Sequence, residues 1–364
     1  MYNVLHILTG DDGGITAVVK NYYSHIDREK IRFDIACVTE NEGNDINILK
    51  NLGANIFHLP VKSLGIKKYS EALEKLLNKT RYDAIHVHEN ETSYVALKIA
   101  KRLGVKNRIA HAHTTSPYRS FSGEIRRLSG ILLNYYYATA VIGCGQLAGE
   151  RVFGKWNMKR KKGFVLPNAV DFEKYAYNEQ VRTRLRDELA ISDKFVVGFI
   201  GRLAPEKNPI FCLDIIKGLH SFNENAVLVM AGDGCEEEKI RDYIHTNQME
   251  EYVFLLGKRM DAECLYQAFD VLILPSIHEG FPVVVVEALA SGLPAILSSN
   301  ITKEFTFSDI VRYIDISDKT DWIDSLTVFS NERSNKERMN NLDPSVFDVK
   351  CVVKKLEEIY CTRQ

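Results

Sequence analysis

Phe195-Val-Val-Gly-Phe-Ile200-Gly201-Arg202-Leu-Ala-Pro-Glu206-Lys207-Asn208-Pro209 reads as a buried strand, a loop carrying two cations, and the start of a helix. An uninterrupted apolar run of this kind suits a strand covered on both faces, as in parallel sheets. Upstream, the seam runs from Pro167-Asn168-Ala169-Val170-Asp171 to Phe195; it is polar, rich in Arg and Glu, and has no strand pattern. Downstream, apolar runs at 226–230, 252–256, 271–274 and 295–297 alternate with stretches of helical period. The same alternation precedes the seam, with runs at 4–8, 33–38, 84–87, 108–111 and 139–142. Two such series predict an α/β protein of two Rossmann-like, doubly wound domains. Facing C-terminal strand edges would create a cleft, the usual place for a nucleotide. The expected division is 1–170, 171–348, and a helix over 349–364 able to cross back to the first domain. That helix carries Val349, Val352, Val353, Leu356 and Ile359 on one face.

A length of 364 residues also favours two cores over one. At 45% hydrophobic and 26% charged, the chain is neither disordered nor fibrous. Its seven cysteines are scattered without a C-x-x-C pair, which argues against a disulfide framework or zinc site and fits a reducing cytosol. The opening Met1-Tyr-Asn-Val-Leu-His-Ile-Leu8 lacks a basic leader and reads as a first strand. No apolar run reaches the roughly 20 residues of a spanning helix. These features predict a cytoplasmic protein.

The net charge of −1 conceals a split. Residues 101–170 hold thirteen Lys and Arg against two acidic residues, whereas 171–364 hold 22 against 33. Within the basic block, Arg119, Arg126 and Arg127 interleave with Phe121, Ile125, Leu128, Ile131, Leu132 and Leu133. This pattern fits either an amphipathic helix on an anionic membrane, through residues 119–162, or a solvated basic face over a core helix. No aromatic–basic stacking motif accompanies it, so no nucleic acid partner is expected.

The common nucleotide motifs fail in turn. Gly143-Cys-Gly145-Gln-Leu-Ala148 follows a strand, but residues 151–170 lack the acidic residue a dinucleotide site places there. A tight strand-to-helix turn explains that glycine pair. There is no P-loop, no H-E-x-x-H and no D-x-D, so no paired-aspartate metal site is indicated.

Four strand-end segments carry more chemistry. In Thr9-Gly10-Asp11-Asp12-Gly13-Gly14-Ile15, paired glycines let backbone N–H groups approach an anion at a helix start. Arg202 and Lys207 combine a guanidinium fork with a point charge, a set suited to a diphosphate, although two solvated cations would look the same. Ala231-Gly-Asp-Gly234 reads as a structural turn. Sharpest is Ser276-Ile-His-Glu279-Gly280-Phe281-Pro282-Val-Val-Val-Val-Glu287-Ala-Leu-Ala-Ser-Gly-Leu-Pro294, a strand end, a loop, and a helix that Pro282 helps start. Carboxylates accept well from vicinal hydroxyls, and the N–H groups within 281–284, those of Phe281, Val283 and Val284, suit phosphate. Glu287 lies among apolar neighbours, where a carboxylate needs a partner.

Together with Val165-Leu-Pro-Asn-Ala-Val-Asp171, these segments resemble, in order and across essentially the whole chain, the retaining glycosyltransferases of family 4 with the GT-B fold. Asn21-Tyr22-Tyr23 and Ile301-Thr302-Lys303-Glu304 further resemble members of exopolysaccharide and capsule assembly. The resemblance implies a nucleotide-sugar in the C-terminal domain and an acceptor in the N-terminal one. Arg202 and Lys207 would hold the diphosphate, Glu287 the ribose, and Glu279 the donor-sugar hydroxyls. Gly280, Phe281 and Pro282 would shape that pocket, and the Lys258–Arg259 region would lie at the base. Gly13 and Gly14 would close over the diphosphate, and His113, with His111 as the alternate, would stand beside the sugar.

It further implies transfer with retention by front-face attack, with no metal and no cofactor besides the donor. UDP-sugar is the favoured donor, and a saccharide or lipid-linked saccharide at the inner membrane face the acceptor. Alternatives on the same fold are a nucleotide-sugar epimerase, a phosphorylase, for which no pyridoxal lysine context is found, and a non-catalytic binding subunit.

Overall fold

The computed structural model describes all residues except 11–12, 40–42, 116–119, 161–162, 333–337, 339–341 and 362–364. Asp11, Asp12, Arg119, Lys161 and Lys162 therefore lie outside the described residues. The chain divides into two compact units, one of residues 1–169 with 344–364 and the other of 170–343.

The first unit holds seven strands: β1 Tyr2–Leu8, β2 Ile31–Cys37, β3 Ile56–His58, β4 Ala84–Val87, β5 Asn107–Ala112, β6 Ala140–Gly143 and β7 Gly163–Val165. They form one parallel sheet in the order β3-β2-β1-β4-β5-β6-β7. The direction of winding reverses between β1 and β4, where His6 pairs with His86. Central strands are buried on both faces, as their unbroken apolar runs require; Ile85 and Val87 of β4 belong to a core with Leu73, Leu77 and Leu97 from the covering helices.

The second unit has six strands: β8 Phe195–Ile200, β9 Ala226–Ala231, β10 Val253–Leu255, β11 Val271–Leu274, β12 Ala295–Ser298 and β13 Val311–Ile314. Their order is β10-β9-β8-β11-β12-β13, again parallel, and the reversal falls between β8 and β11. Both switch points deliver loops to the C-terminal edge of a sheet, where this architecture binds ligands.

Glu179–Glu188 is a helix held by charge, which accounts for its lack of an apolar pattern. Arg182 and the buried Arg186 both pair with Asp270, and Asp270 Oδ2 also accepts from the backbone N–H of Val196 at 2.8 Å. At the other end, the chain returns to the first unit at Pro344, five residues before the expected 349. The short helix Pro344–Phe347, with Phe347 buried, packs on the last helix, Val349–Cys361, and so goes with it. The last helix buries the expected apolar face and adds Tyr360 to it.

Candidate functional site

In the second unit, the loop after β8 begins at Gly201 and ends in a single turn, Pro205–Lys207. Asn208 then adopts a left-handed conformation (φ 56°) and launches the helix Pro209–His220. The loop leans on the turn after β9. Leu203 N–H donates to Asp233 O at 2.7 Å, and Glu236 N–H donates to Leu203 O at 2.9 Å. A Cβ on Gly232 would stand 1.8 Å from Gly201 O, and one on Gly234 2.3 Å from Leu203 O. Ala231-Gly-Asp-Gly234 thus shapes the loop above it.

Lys207 points across to the loop after β11 and forms an ion pair with Glu279, 72 residues away. Ser276 Oγ donates to the same carboxylate oxygen at 2.8 Å. The backbone reinforces the pairing, since Ile277 N–H donates to Glu206 O at 2.8 Å. Both side chains are mostly buried, at 19% exposure for Lys207 and 11% for Glu279. Arg202 is open to solvent and lies 3.2 Å from Glu206. Gly280 continues the bend, and Phe281 is buried against Phe305 with ring centroids 5.0 Å apart. The segment 301–304 leads into Phe305 and is held by Tyr313, whose hydroxyl donates to Thr302 O at 2.9 Å.

Pro282 is the residue before the helix Val283–Ala290, with extended backbone, so it caps the helix rather than occupying its first turn. Glu287, one turn inside, has the partners its surroundings demand. Tyr175 donates to Oε1 at 2.7 Å and Tyr266 to Oε2 at 2.6 Å. Burial raises its pKa above the ordinary carboxyl value, and the two hydroxyls partly oppose the rise. Each carboxylate oxygen keeps a lone pair for a further donor, as a ribose diol would require. Arg259, in the loop after β10, makes a two-point pair with Asp261 at 2.8 and 2.6 Å.

In the first unit, Gly13 precedes the helix Gly14–His25 with φ 107°, a conformation that favours glycine. Among the described residues, nothing stands within 4 Å of where a Cβ on Gly13 or Gly14 would be, so the start of the helix is uncrowded. Asn21 Nδ2 donates to Ala169 O at 2.6 Å and ties this helix to the 165–171 segment. Gly143 lies where a Cβ would meet Gly149 Cα at 2.7 Å, so the Gly143–Ala148 pattern is a close-packed turn.

His113 follows β5 and lies next to an array that sequence inspection did not assemble. His6, His86, His88, His111 and His113 stack side by side across β1, β4 and β5, joined by ring nitrogens 2.8 to 3.2 Å apart. Burial pushes the pKa values of His6 and His113 down to about 3 and those of the other three well below the imidazole norm, so the rings are neutral. The legible signal was His-x-His at the ends of two successive predicted strands. Glu89, buried with Lys62 at 2.7 Å and Tyr69 at 3.1 Å, was also missed. A cavity of about 440 Å³ is lined by Asn134, Tyr135, Ala138, Val141, Lys159 and Arg160, among others, and none of the candidate site residues line it.

Two units, each a parallel sheet whose winding reverses at a central switch point and whose candidate loops sit there, define a two-domain Rossmann-like architecture. Residues 12–174 match the model of Glycosyltransferase Family 4, and residues 181–337 match that of Glycosyl transferases group 1. The chain is 33% identical over 315 residues to EpsF of Bacillus subtilis (strain 168), which its name places among glycosyltransferases; the match covers 83% of this chain and 80% of EpsF. It is 27% identical over 261 residues to the Escherichia coli UDP-Gal:alpha-D-GlcNAc-diphosphoundecaprenol alpha-1,3-galactosyltransferase, covering 68% and 67% of the two chains. The crystal structure of Anabaena HepE in complex with UDP superposes with a TM-score of 0.82 over 98% of this chain and 99% of that one, at 18% identity. The chain belongs to glycosyltransferase family 4 and has the GT-B fold.

Proposed function

We propose that this glycosyltransferase moves a hexose from a UDP-sugar to a saccharide or lipid-linked saccharide during surface polysaccharide assembly, with retention of anomeric configuration. The observation that carries the proposal is the Lys207–Glu279 pair at the second switch point, one turn of helix from Glu287. Lys207 and Arg202 face a developing diphosphate charge, while Glu279 and Glu287 offer acceptors to sugar and ribose hydroxyls. The two carboxylates invite comparison with retaining glycosidases, whose second carboxylate attacks the sugar. Here Glu279 is held by an ammonium and a serine hydroxyl, which lowers its nucleophilicity and favours front-face attack assisted by the leaving phosphate. The E. coli relative's named substrates, a UDP-sugar and a diphosphoundecaprenol-linked acceptor, support this donor and acceptor class.

The helix Phe121–Tyr137 supports action at a membrane surface. It turns Phe121, Ile125, Leu128, Leu132 and Tyr136 outward, with Phe121 84% and Leu132 70% exposed. Its buried positions are instead Gly123, Gly130 and Asn134. Gly130 is required, since a Cβ would lie 2.8 Å from Glu91 O. An apolar stripe facing out of a basic segment fits an anionic bilayer better than water. No helix among the described residues is long and apolar enough to cross a membrane.

The deciding experiment incubates the full chain with a panel of UDP-, GDP- and ADP-sugars and an undecaprenyl-diphosphate-linked saccharide, and fixes the anomer of the product by NMR. Transfer from a UDP-hexose with retention, undiminished by EDTA, is expected. Inversion, or dependence on Mg²⁺ or Mn²⁺, would overturn the corresponding part.

A further inference from the structure

The five histidines of the first unit and Tyr360 form one hydrogen-bonded chain with two ends. Tyr360 sits at its middle, its hydroxyl 2.8 Å from His86 Nδ1 and 3.1 Å from His6 Nε2. One arm runs from His6 Nδ1 to His88 Nε2 at 3.1 Å and from His88 Nδ1 to His113 Nε2 at 2.8 Å. The other runs from His86 Nε2 to His111 Nδ1 at 3.2 Å. One arm therefore terminates at His113 Nδ1 and the other at His111 Nε2, which is buried and has no hydrogen-bond partner among the described residues.

Counting hydrogens leaves little freedom. Five neutral imidazoles and one hydroxyl carry six polar hydrogens, and the chain contains five hydrogen bonds. One hydrogen is left for an end. If Tyr360 donates to His86, each ring on that arm passes the donor role outward, and the surplus N–H is stranded at His111 Nε2. If Tyr360 donates to His6, the other arm propagates the same way and the surplus appears at His113 Nδ1. The two arrangements differ in all five tautomers at once. An orphaned buried N–H is rarer and costlier than an under-satisfied acceptor. His113 keeps partial exposure, so its end can meet water or a ligand, whereas His111 is fully buried and its end cannot.

We propose that Tyr360, on the helix that returns from the end of the chain, is a positioning residue that fixes His113 as the Nδ1–H tautomer and thereby presents a hydrogen-bond donor at the C-terminal edge of β5. Its chemical partner is an oxygen acceptor, a sugar hydroxyl or ring oxygen; this part rests on the proposed placement of His113 beside the donor sugar. A metal ion is the competing use of these rings, since the nitrogens of His6, His86 and His88, and of His88, His111 and His113, lie within 4.8 Å of one another. Each ring lone pair inside the chain is already engaged by a neighbouring N–H or O–H, and a metal would have to break those bonds.

The test labels the full chain on its histidine rings and reads tautomers by long-range ¹H–¹⁵N correlation, with His113→Asn for assignment. Wild type should show Nδ1–H at His113. Tyr360→Phe should shift that ring toward a mixture, while Phe33→Leu, which loosens the packing beside Tyr360 without removing a hydrogen-bonding group, should not. Under the proposed function, Tyr360→Phe should weaken UDP-hexose binding roughly three- to tenfold and leave UDP binding unchanged. An Nε2–H tautomer in wild type, a tautomer indifferent to Tyr360→Phe, or stoichiometric bound zinc, copper or nickel in purified protein would each overturn the proposal. A tautomer shift without any change in UDP-hexose affinity would uphold the relay and remove His113 from the donor site.

Discussion

Replacing Lys207 by Met separates the structural from the catalytic work of the pair with Glu279. In the variant, Glu279 keeps Ser276 Oγ at 2.8 Å but loses its counter-ion at a position only 11% exposed. Stranding a carboxylate there should cost about 2–3 kcal/mol of stability, below the ~3–5 kcal/mol of a fully buried pair because some water remains. Glu279→Gln strands the ammonium instead, but Lys207 is more exposed and has a flexible stem, so its loss should be smaller, about 1–2 kcal/mol. The double variant leaves neither charge unpaired. It should be more stable than the sum of the single losses by about 1.5–2 kcal/mol, a coupling typical of groups in contact. Activity should behave differently. Each single variant and the double one should all lose about 10²–10³ in kcat, because prepositioned charge is removed in every case. Urea denaturation of the four proteins, read beside transfer rates at saturating donor, completes the cycle. Additive stabilities would refute the coupling, and a double variant that recovers activity along with stability would refute the catalytic assignment.

Glu287→Gln should weaken UDP binding roughly ten- to hundredfold by calorimetry, the loss of charge-assisted bonds to hydroxyls. The same change should flatten a pH dependence: with its folded pKa raised by burial, Glu287 binds its proton more tightly folded than unfolded, so stability falls as pH rises through that raised pKa. A wild-type profile that rises through this window relative to Glu287→Gln would contradict the assignment. Gly232→Ala drives a methyl to within 1.8 Å of Gly201 O, so it should lower the unfolding midpoint by several degrees and weaken nucleotide binding through displacement of the Arg202 loop; an unchanged Kd would separate the two. Leu128→Glu with Leu132→Glu, both on the exposed stripe, should abolish co-sedimentation with anionic vesicles while leaving UDP affinity intact, and binding that persists, or never depended on anionic lipid, would refute membrane docking.

The fold was legible where burial writes it into composition. Nine of the ten strands that show as apolar runs have both faces covered, or nearly so; the tenth, β10, is a half-buried edge strand whose three residues are all apolar. The three that escaped, β3, β7 and β13, are edge strands of three or four residues, mostly half-exposed, and their sequences carry no distinct period. The helix Phe121–Tyr137 shows a subtler limit. Its apolar spacing was readable, but which face turned inward depended on Gly123 and Gly130, whose role is to let another backbone approach.

The site divides along the same line. Loops at strand ends advertise themselves through glycine and charge, so Lys207 and Glu279 could be named before either was known to touch the other. Tyr175 and Tyr266 could not, because a tyrosine that serves a carboxylate 112 or 21 residues away looks like any other half of an apolar pattern. Yet the need for them was deducible: Glu287 sits among valines and alanines, and an ionised group there must be met by donors from somewhere in the fold. Sequence physics thus specified the deficit and only topology supplied the residue that fills it. The histidines reverse the case. His-x-His at two strand ends was visible, while the residue that ties them together, Tyr360, lies 247 positions beyond His113 and reaches them only because the last helix returns to the first unit. A positioning role for Tyr360 is therefore invisible to any reading confined to the loops, and it makes that returning helix part of the chemistry of β5 as well as of the packing of the first unit.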